Sequence, residues 1–98
     1  MKPLVQSLNE LDRVIHEPGR LILVALLSGV ERTDFLYLQR ETEMNKGTLS
    51  SHLARLEEAG YVEIEKTFRG KIPQTLLRLT PQGRKAFEQY RRGIKSAL

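Results

Sequence analysis

Two kinds of side chain in the middle of the sequence could do chemistry: a histidine beside hydroxyls, and a set of cations. Ser50, Ser51 and His52 follow one another, so a nucleophile and a base are neighbours in the chain. Adjacent helical positions do not face each other, however, and no acid stands in register to orient the imidazole. With His16 as the only other histidine, with no cysteine and with no phosphate-binding loop, the sequence offers no metal or nucleotide motif. We therefore expect a protein that is not an enzyme and that has no cofactor or metal.

Short polar side chains in the same segment suggest a binding surface instead. Leu49, Leu53 and Leu56 form the apolar stripe of a helix that we expect over Lys46 to Ala59. The outward face of that helix carries small or cationic residues: Lys46, Gly47, Thr48, Ser50, Ser51, Ala54 and Arg55. Short side chains allow a helix to enter a major groove, where hydroxyls and cations can contact bases and phosphates. Many solvent-exposed helices have such a face, so the helix alone does not decide the matter.

A hairpin with cations at its tip is expected directly after this helix. Residues 61–67 alternate apolar and charged side chains, as a half-exposed strand does, and residues 75–79 form the return strand. The predicted turn spans Phe68 to Pro73 and places Arg69 and Lys71 at the tip, with Gln74 beside it. Such an arm can reach a minor groove or the flanking phosphates, and the alternative is a tip that serves only solubility.

Capping residues locate the helices that must position these groups. Leucines and other apolar residues from Leu4 to Ile15 follow helical spacing, with Ser7 as the expected cap and an end near His16. A second helix, Pro18 to Ser28, is apolar almost all round, which is typical of a buried central helix. Its successor, residues 35–41, is capped by Asp34. A cap at Asn45 and a stop at Gly60 bound the fourth helix, and Thr80 with Pro81 opens a last helix through Ala97.

The resulting order is four helices, a hairpin and a helix, a mainly α fold with a small β-hairpin (α+β). Two helices joined by a short turn, at about residues 34–60, match a helix-turn-helix, and the hairpin at about 61–79 is its wing. The 98 residues suffice for one domain, residues 1–98, whose last helix spans about 81–97.

The chain resembles the winged helix-turn-helix regulators related to the MarR and ArsR families, above all the short winged-helix DNA-binding domain group. Three runs carry the resemblance: His16 to Leu21, Gly47 to Glu63, and Leu79 to Arg84. It implies a homodimeric transcriptional regulator that binds double-stranded DNA. The expected DNA contacts are Lys46, Gly47, Thr48, Ser50, Ser51, Arg55, Arg69, Lys71 and Gln74. The metal sensing that ArsR relatives often perform with cysteines is not implied, because this chain has none.

The distribution of charge along the chain agrees with a DNA partner. The net charge is +4, and residues 46–98 contain eleven basic and five acidic side chains, whereas residues 1–45 contain five basic and seven acidic ones. A basic half is expected where a polyanion binds.

The longest apolar run, Leu21 to Leu27, is too short to cross a bilayer, which needs about 20 residues. We therefore expect a cytoplasmic protein that has no membrane partner.

A second copy of the chain is the other expected partner. The first and last helices would supply the dimer interface, through the apolar residues Leu4, Leu8, Leu11, Ile15, Phe87, Tyr90 and Ile94. A small-molecule effector would lie between these helices, although no residue indicates its chemical class. Two alternatives stay open at this point: a winged helix that docks a protein partner, and an architectural protein that coats DNA without sequence preference.

Overall fold

A computed structural model describes residues 3–98, so residues 1 and 2 of the expected domain lie outside it. Within the described range the chain forms five helices and three strands. In chain order these are α1 Leu4–Asn9, α2 Pro18–Ser28, β1 Thr33–Asp34, α3 Phe35–Thr42, α4 Lys46–Glu58, β2 Val62–Arg69, β3 Ile72–Leu79 and α5 Pro81–Ala97. The expected α+β class is confirmed. The expected order lacked β1, a two-residue strand too short to leave a pattern in the sequence.

Three of the predicted helix caps are present. The carboxylate of Asp34 accepts a hydrogen bond from the backbone N–H of Tyr37 at 2.8 Å, and the Asn45 side chain accepts one from Thr48 at the same distance. The hydroxyl of Thr80 accepts from the N–H of Gly83 at 2.9 Å. Each bond satisfies a donor that the first turn of a helix leaves free. The starts of α3, α4 and α5 are therefore fixed by local side-chain chemistry.

The sheet is antiparallel with strand order β1-β3-β2. Strands β2 and β3 pair along their whole length, from Val62 opposite Leu79 to Arg69 opposite Ile72. The turn is therefore only Gly70 and Lys71, with Gly70 at a φ of +66°. The prediction of a turn from Phe68 to Pro73 is wrong, because the backbone ladder continues beyond the alternating segment. The wing is defined from here on as residues 61–79, that is, the two strands with their turn and Tyr61, which directly precedes β2.

The core lies where α2, α4, α5 and the sheet meet. Leucines of α2 and α4 form the centre of the core, and inward side chains at the base of the wing pack against them. The buried residues of these three elements include Leu23, Leu27, Leu49, Leu53, Leu56, Val62, Leu77 and Leu79. Within residues 3–98 every buried side-chain oxygen and nitrogen has a hydrogen-bond partner. Among these residues the core therefore leaves no side-chain donor or acceptor unsatisfied.

The first helix is shorter than expected, since α1 ends at Asn9 rather than near His16. Residues 10–17, here called the α1–α2 loop, turn back so that Leu11 and Ile15 enter the core. Oδ1 of Asp12 accepts from the N–H of Val14 at 2.9 Å and of Ile15 at 3.3 Å, a local bond that competes with continued helix. Ser7 is inside α1 and Pro3 stands at its cap position, so the Ser7 cap is also wrong.

The α1–α2 loop gives a first test of the structure. Replacing the fully buried side chain in Ile15→Ala should lower the free energy of unfolding by about 2–5 kcal/mol, because it leaves a cavity. The matched control is Ile72→Ala, where a side chain that is 70% exposed should cost less than about 1 kcal/mol. Urea unfolding followed by circular dichroism measures both. Equal losses would contradict the loop packing described above.

Candidate nucleic-acid interface

The outer face of α4 is open to solvent and consists of small or cationic side chains. The six residues predicted there are all exposed: Lys46, Gly47, Thr48, Ser50, Ser51 and Arg55. Ala54 is exposed as well, and the first turn contains no acidic residue. The positive end of the helix dipole is therefore not offset by a neighbouring carboxylate in that turn. This surface suits close approach by an anionic groove.

A polar cluster at the start of α2, formed by Glu17, Gly19 and Arg20, packs against His52 on the inner side of α4. The sequence did not reveal this cluster. The imidazole of His52 lies against Gly19, where an added Cβ would stand 2.6 Å from Nε2. Its Nδ1 is 3.4 Å from Oε2 of Glu17 and 3.4 Å from Nη1 of Arg20. His52 is thus a packing residue at the contact between α2 and α4. The only sequence signal was its position beside the leucine stripe.

Glu17 has a double role in this cluster. Its two carboxylate oxygens accept from the backbone N–H groups of Gly19, at 2.8 Å, and Arg20, at 3.0 Å, so it caps α2. Burial opposes ionisation, but those two hydrogen bonds, with His52 and Arg20, outweigh it and lower the pKa of Glu17. The ionised carboxylate therefore joins the start of α2 to the middle of α4.

Further hydrogen bonds connect the α1–α2 loop to three elements. Nε of Arg20 donates to the carbonyl oxygen of Val14 at 2.6 Å, and the hydroxyl of Tyr61, at the wing base, donates to Asp12. Burial and the Asp12 carboxylate raise the pKa of Tyr61 to about 12, so the phenol stays protonated at neutral pH. Nδ1 of His16 lies 2.8 Å from the hydroxyl of Tyr90 on α5. The loop is therefore tied to α2, α5 and the wing.

The outer half of the wing carries positive charge only. Residues 66–75 contain three cations, Lys66, Arg69 and Lys71, and no carboxylate. The predicted contacts Arg69 and Lys71 are exposed, and neither makes an ion pair within residues 3–98. Gln74 is half-buried opposite Thr67 in the ladder. Two unpaired cations therefore stand at the end of an arm.

The base of the wing has a different charge pattern. Nη2 of Arg78 donates to one oxygen of Glu63 at 2.7 Å and Nε to the other at 3.1 Å, a two-bond pair across the strands. These hydrogen bonds and the charge of the guanidinium lower the pKa of Glu63. Acidic side chains of the wing, Glu63 and Glu65, are thus confined to its base. The wing is polarised along its length.

The residues predicted for a dimer interface fall into two groups. Leu11, Ile15 and Tyr90 are buried in the core of the chain itself, because the α1–α2 loop folds against α5, and at most 7% of each is exposed. The other four retain exposed area: Leu4 is 51% exposed, and Leu8, Phe87 and Ile94 are half-buried. A cleft of about 500 Å³ lies between α1 and α5, lined by residues that include Ser7, Leu11, Gln89, Tyr90 and Gly93.

Among residues 3–98 no group of three histidine, cysteine or acidic side chains is arranged to hold a metal ion. In the same range no helix combines the length and the apolar character that crossing a bilayer requires.

The Glu17 contacts give a pH-dependent prediction. Glu17→Gln should lower the free energy of unfolding at pH 7 by about 1 kcal/mol, because a helix cap and the contact with His52 are weakened. The folded-state pKa lies below the unfolded value of 4.5, so this contribution is present above pH 4.5 and is lost as the pH falls through the folded value. Urea titrations from pH 7 to pH 3 should show the two proteins converging. A difference that does not change with pH would contradict the assignment.

The chain was compared with protein families and with known proteins. Residues 20–98 match the model of a family described as the winged helix DNA-binding domain. An uncharacterised protein of Methanocaldococcus jannaschii is 35% identical over 79 residues, which span 80% of this chain and 85% of that protein.

Two solved structures share the fold. A transcriptional regulator homologue from Pyrococcus horikoshii aligns with a TM-score of 0.86 and 23% identity, over 98% of this chain and 93% of its own. NadR in complex with 4-hydroxyphenylacetate aligns with a TM-score of 0.73 and 24% identity, over 95% of this chain and 65% of its own. These neighbours confirm the expected fold, and the family match confirms the resemblance to the winged-helix DNA-binding domain group. The chain therefore belongs to the winged helix DNA-binding domain family.

Proposed function

We propose that the protein is a cytoplasmic transcriptional regulator that binds specific double-stranded DNA sequences as a homodimer and acts by binding rather than by catalysis. The observation that carries the proposal is the pairing, in one small domain of this family, of an exposed α4 face with a wing whose outer half is only cationic. Each feature alone would also fit an ordinary solvent-exposed helix or a hairpin tip that serves only solubility. Together they match the two contacts, groove and backbone, that a winged helix makes with a duplex.

In this proposal α4 is the recognition helix and enters the major groove. Gly47, Ser51 and Ala54 are small enough to let the helix axis approach the bases. Ser50 and Thr48 supply hydroxyls for base edges or phosphates, and the backbone N–H groups of the first turn face a phosphate. Lys46 and Arg55 would contact guanine or phosphate. Arg55 is free to do so, because its Glu58 partner is 4.0 Å away on an exposed surface and such pairs are weak.

The wing is proposed to contact the adjacent minor groove or its phosphates. Arg69 and Lys71 are its phosphate ligands, with Gln74 as a further donor. An arm that has no acid beyond its base avoids repulsion from the DNA backbone over its outer half. Its contribution to affinity comes from counterion release and is therefore sensitive to salt.

A homodimer is proposed because apolar area remains uncovered on the α1 and α5 side. This area is lined by Leu4, Leu8, Phe87 and Ile94. The proposed interface therefore omits Leu11, Ile15 and Tyr90, which are buried in the core. A small domain gains from covering such a surface. A two-fold protein also fits a two-fold operator.

The cleft between α1 and α5 is the proposed place for a small-molecule effector. The fold neighbour NadR was solved in complex with 4-hydroxyphenylacetate, which shows that a protein of this fold can hold a small ligand. The present cleft is lined by apolar surface, by hydroxyl and amide groups, and by the carboxylates of Glu10 and Asp12. The chemical class of the ligand is left open.

DNA binding is tested through its salt dependence. Arg69→Ala and Lys71→Ala should each reduce the magnitude of the slope of log K against log salt by about 1 per protomer bound, because each removes one phosphate contact. The matched control is Lys95→Ala, an exposed cation in the last turn of α5, which should leave the slope unchanged. Fluorescence anisotropy with a labelled duplex from ~50 to ~200 mM salt gives the slopes. Equal slopes for all four proteins would reject the wing contact.

Sequence specificity is tested by selecting bound duplexes from a random library and then competing the selected site against random DNA at ~150 mM salt. A regulator should prefer its site by at least ~10³-fold. No preference for any sequence would overturn specific binding and would identify an architectural protein instead.

The dimer is tested with a charge placed on the uncovered side. Leu4→Lys should weaken the dimer at least ~10-fold, because it puts a cation into an apolar interface. Ile22→Lys is the matched control, since Ile22 is 49% exposed and Leu4 is 51% exposed, but Ile22 lies on α2. Sedimentation velocity over a range of protein concentrations measures the mass. A monomeric parent protein, or equal behaviour of both variants, would exclude this interface.

A further inference from the structure

The tip of the wing carries two large apolar side chains that the chain itself does not cover. Phe68 is 68% exposed and Ile72 is 70% exposed. Towards the wing base the apolar side chains behave differently, because Val62, Leu77 and Leu79 are all buried in the core. No residue from 66 to 75 is buried. The exposure is therefore confined to the part of the wing that extends beyond the body of the domain.

These two side chains lie on opposite faces of the hairpin. Phe68 pairs with Pro73 and is on the face that also holds Lys66, whereas Ile72 pairs with Arg69 on the other face. Directly opposed residues share a face, and positions two apart in a strand do so as well. Each face of the tip thus presents one large apolar group beside one cation. Lys71, in the turn, adds a third cation.

This arrangement fits a groove with apolar walls and anionic rims. The minor groove of DNA is such a groove, because its walls are deoxyribose rings and its rims are phosphates. Residues 66–75 carry three cations and no carboxylate. This charge disfavours a neutral or basic protein surface as the partner. Charge complementarity therefore favours the duplex over another apolar surface.

The tip is too thick for an undistorted groove. The minor groove of B-DNA is about 6 Å wide. Layers of β-structure with their side chains pack about 10 Å apart, which sets the approximate thickness of a hairpin that carries side chains on both faces. Insertion of the tip therefore requires a wider groove. Widening is easier at pyrimidine–purine steps such as TA and CA/TG than in A-tracts, which are stiff and narrow.

We propose that the wing tip is an apolar wedge that reads DNA deformability, with Phe68 against one wall of the minor groove and Ile72 against the other. This inference rests on the proposed function and adds a source of specificity to it. The wedge discriminates flanking sequences without hydrogen bonds to bases, since the cost of opening the groove depends on the step that is opened. Arg69, Lys66 and Lys71 hold the wedge in place through the phosphates.

The test uses the full chain and two duplexes that share the selected recognition-helix site but differ where the wing lies, with a TA step in one and an A-tract in the other. The parent protein should bind the TA duplex roughly 5- to 20-fold more tightly, the size of one favourable step in DNA recognition. Phe68→Ala and Ile72→Ala should each reduce this ratio at least about 3-fold, and Phe68→Leu, which keeps an apolar group, should retain most of it. Leu36→Ala is the matched control, because Leu36 is 72% exposed but lies on α3.

Groove opening is read independently with 2-aminopurine at the TA step, whose fluorescence should rise with the parent protein and rise less with Phe68→Ala. Circular dichroism melts confirm that each variant is folded. If the parent protein binds its site but shows the same ratio as Phe68→Ala and no fluorescence change, the wedge is overturned while DNA binding stands. If the parent protein binds neither duplex more tightly than random DNA, the proposed function itself fails.

Discussion

The burial of one leucine stripe determines how the rest of the molecule can be used. Leu49, Leu53 and Leu56 are almost completely inaccessible to solvent, and each contributes about 1.5–3 kcal/mol by leaving water. Exposing even one of them would therefore cost a sizeable fraction of the 5–15 kcal/mol by which a domain is usually stable. The helix cannot rotate about its axis without losing this energy. Its outward face is consequently set by the core, and the small residues at positions 47, 51 and 54 face solvent because they lie opposite that stripe.

A second constraint acts between the layers of the fold. The α1–α2 loop contacts α5 through His16 and Tyr90, the wing base through Asp12 and Tyr61, and the start of α2 through Arg20. Glu17, at the end of the same loop, contacts His52 on α4. One short segment therefore contacts α5, on the proposed dimer side, and also the inner side of α4, opposite the proposed DNA-binding face.

Local chemistry explains which elements could be read from the sequence. The caps Asp34, Asn45 and Thr80 act within three residues of themselves, so they were predictable, and the leucine stripe followed from period alone. The break after Asn9 was not predictable, because Leu11 and Ile15 fit a helical period equally well and the loop depends on their tertiary burial as well as on the hydrogen bonds of Asp12. The cluster around His52 was missed for a similar reason: Glu17 and Gly19 are far from it in sequence. The bounds of the wing were predicted well, but the lengths of its two strands were underestimated, because an arm solvated on both faces has no alternation to detect.

The proposed DNA binding would therefore be divided between two elements of different character. Helix α4 is fixed in position, since its inner side is in the core. The outer half of the wing has only its ladder of backbone hydrogen bonds, and a two-stranded hairpin without an apolar face packed on the protein is marginally stable in water. Apolar contact at Phe68 and Ile72 would then stabilise the tip only when a groove covers it. A rigid helix suits the reading of base edges at fixed positions, whereas an arm that is completed by its partner suits the reading of groove shape, so the two parts of the domain would sense different properties of the same duplex.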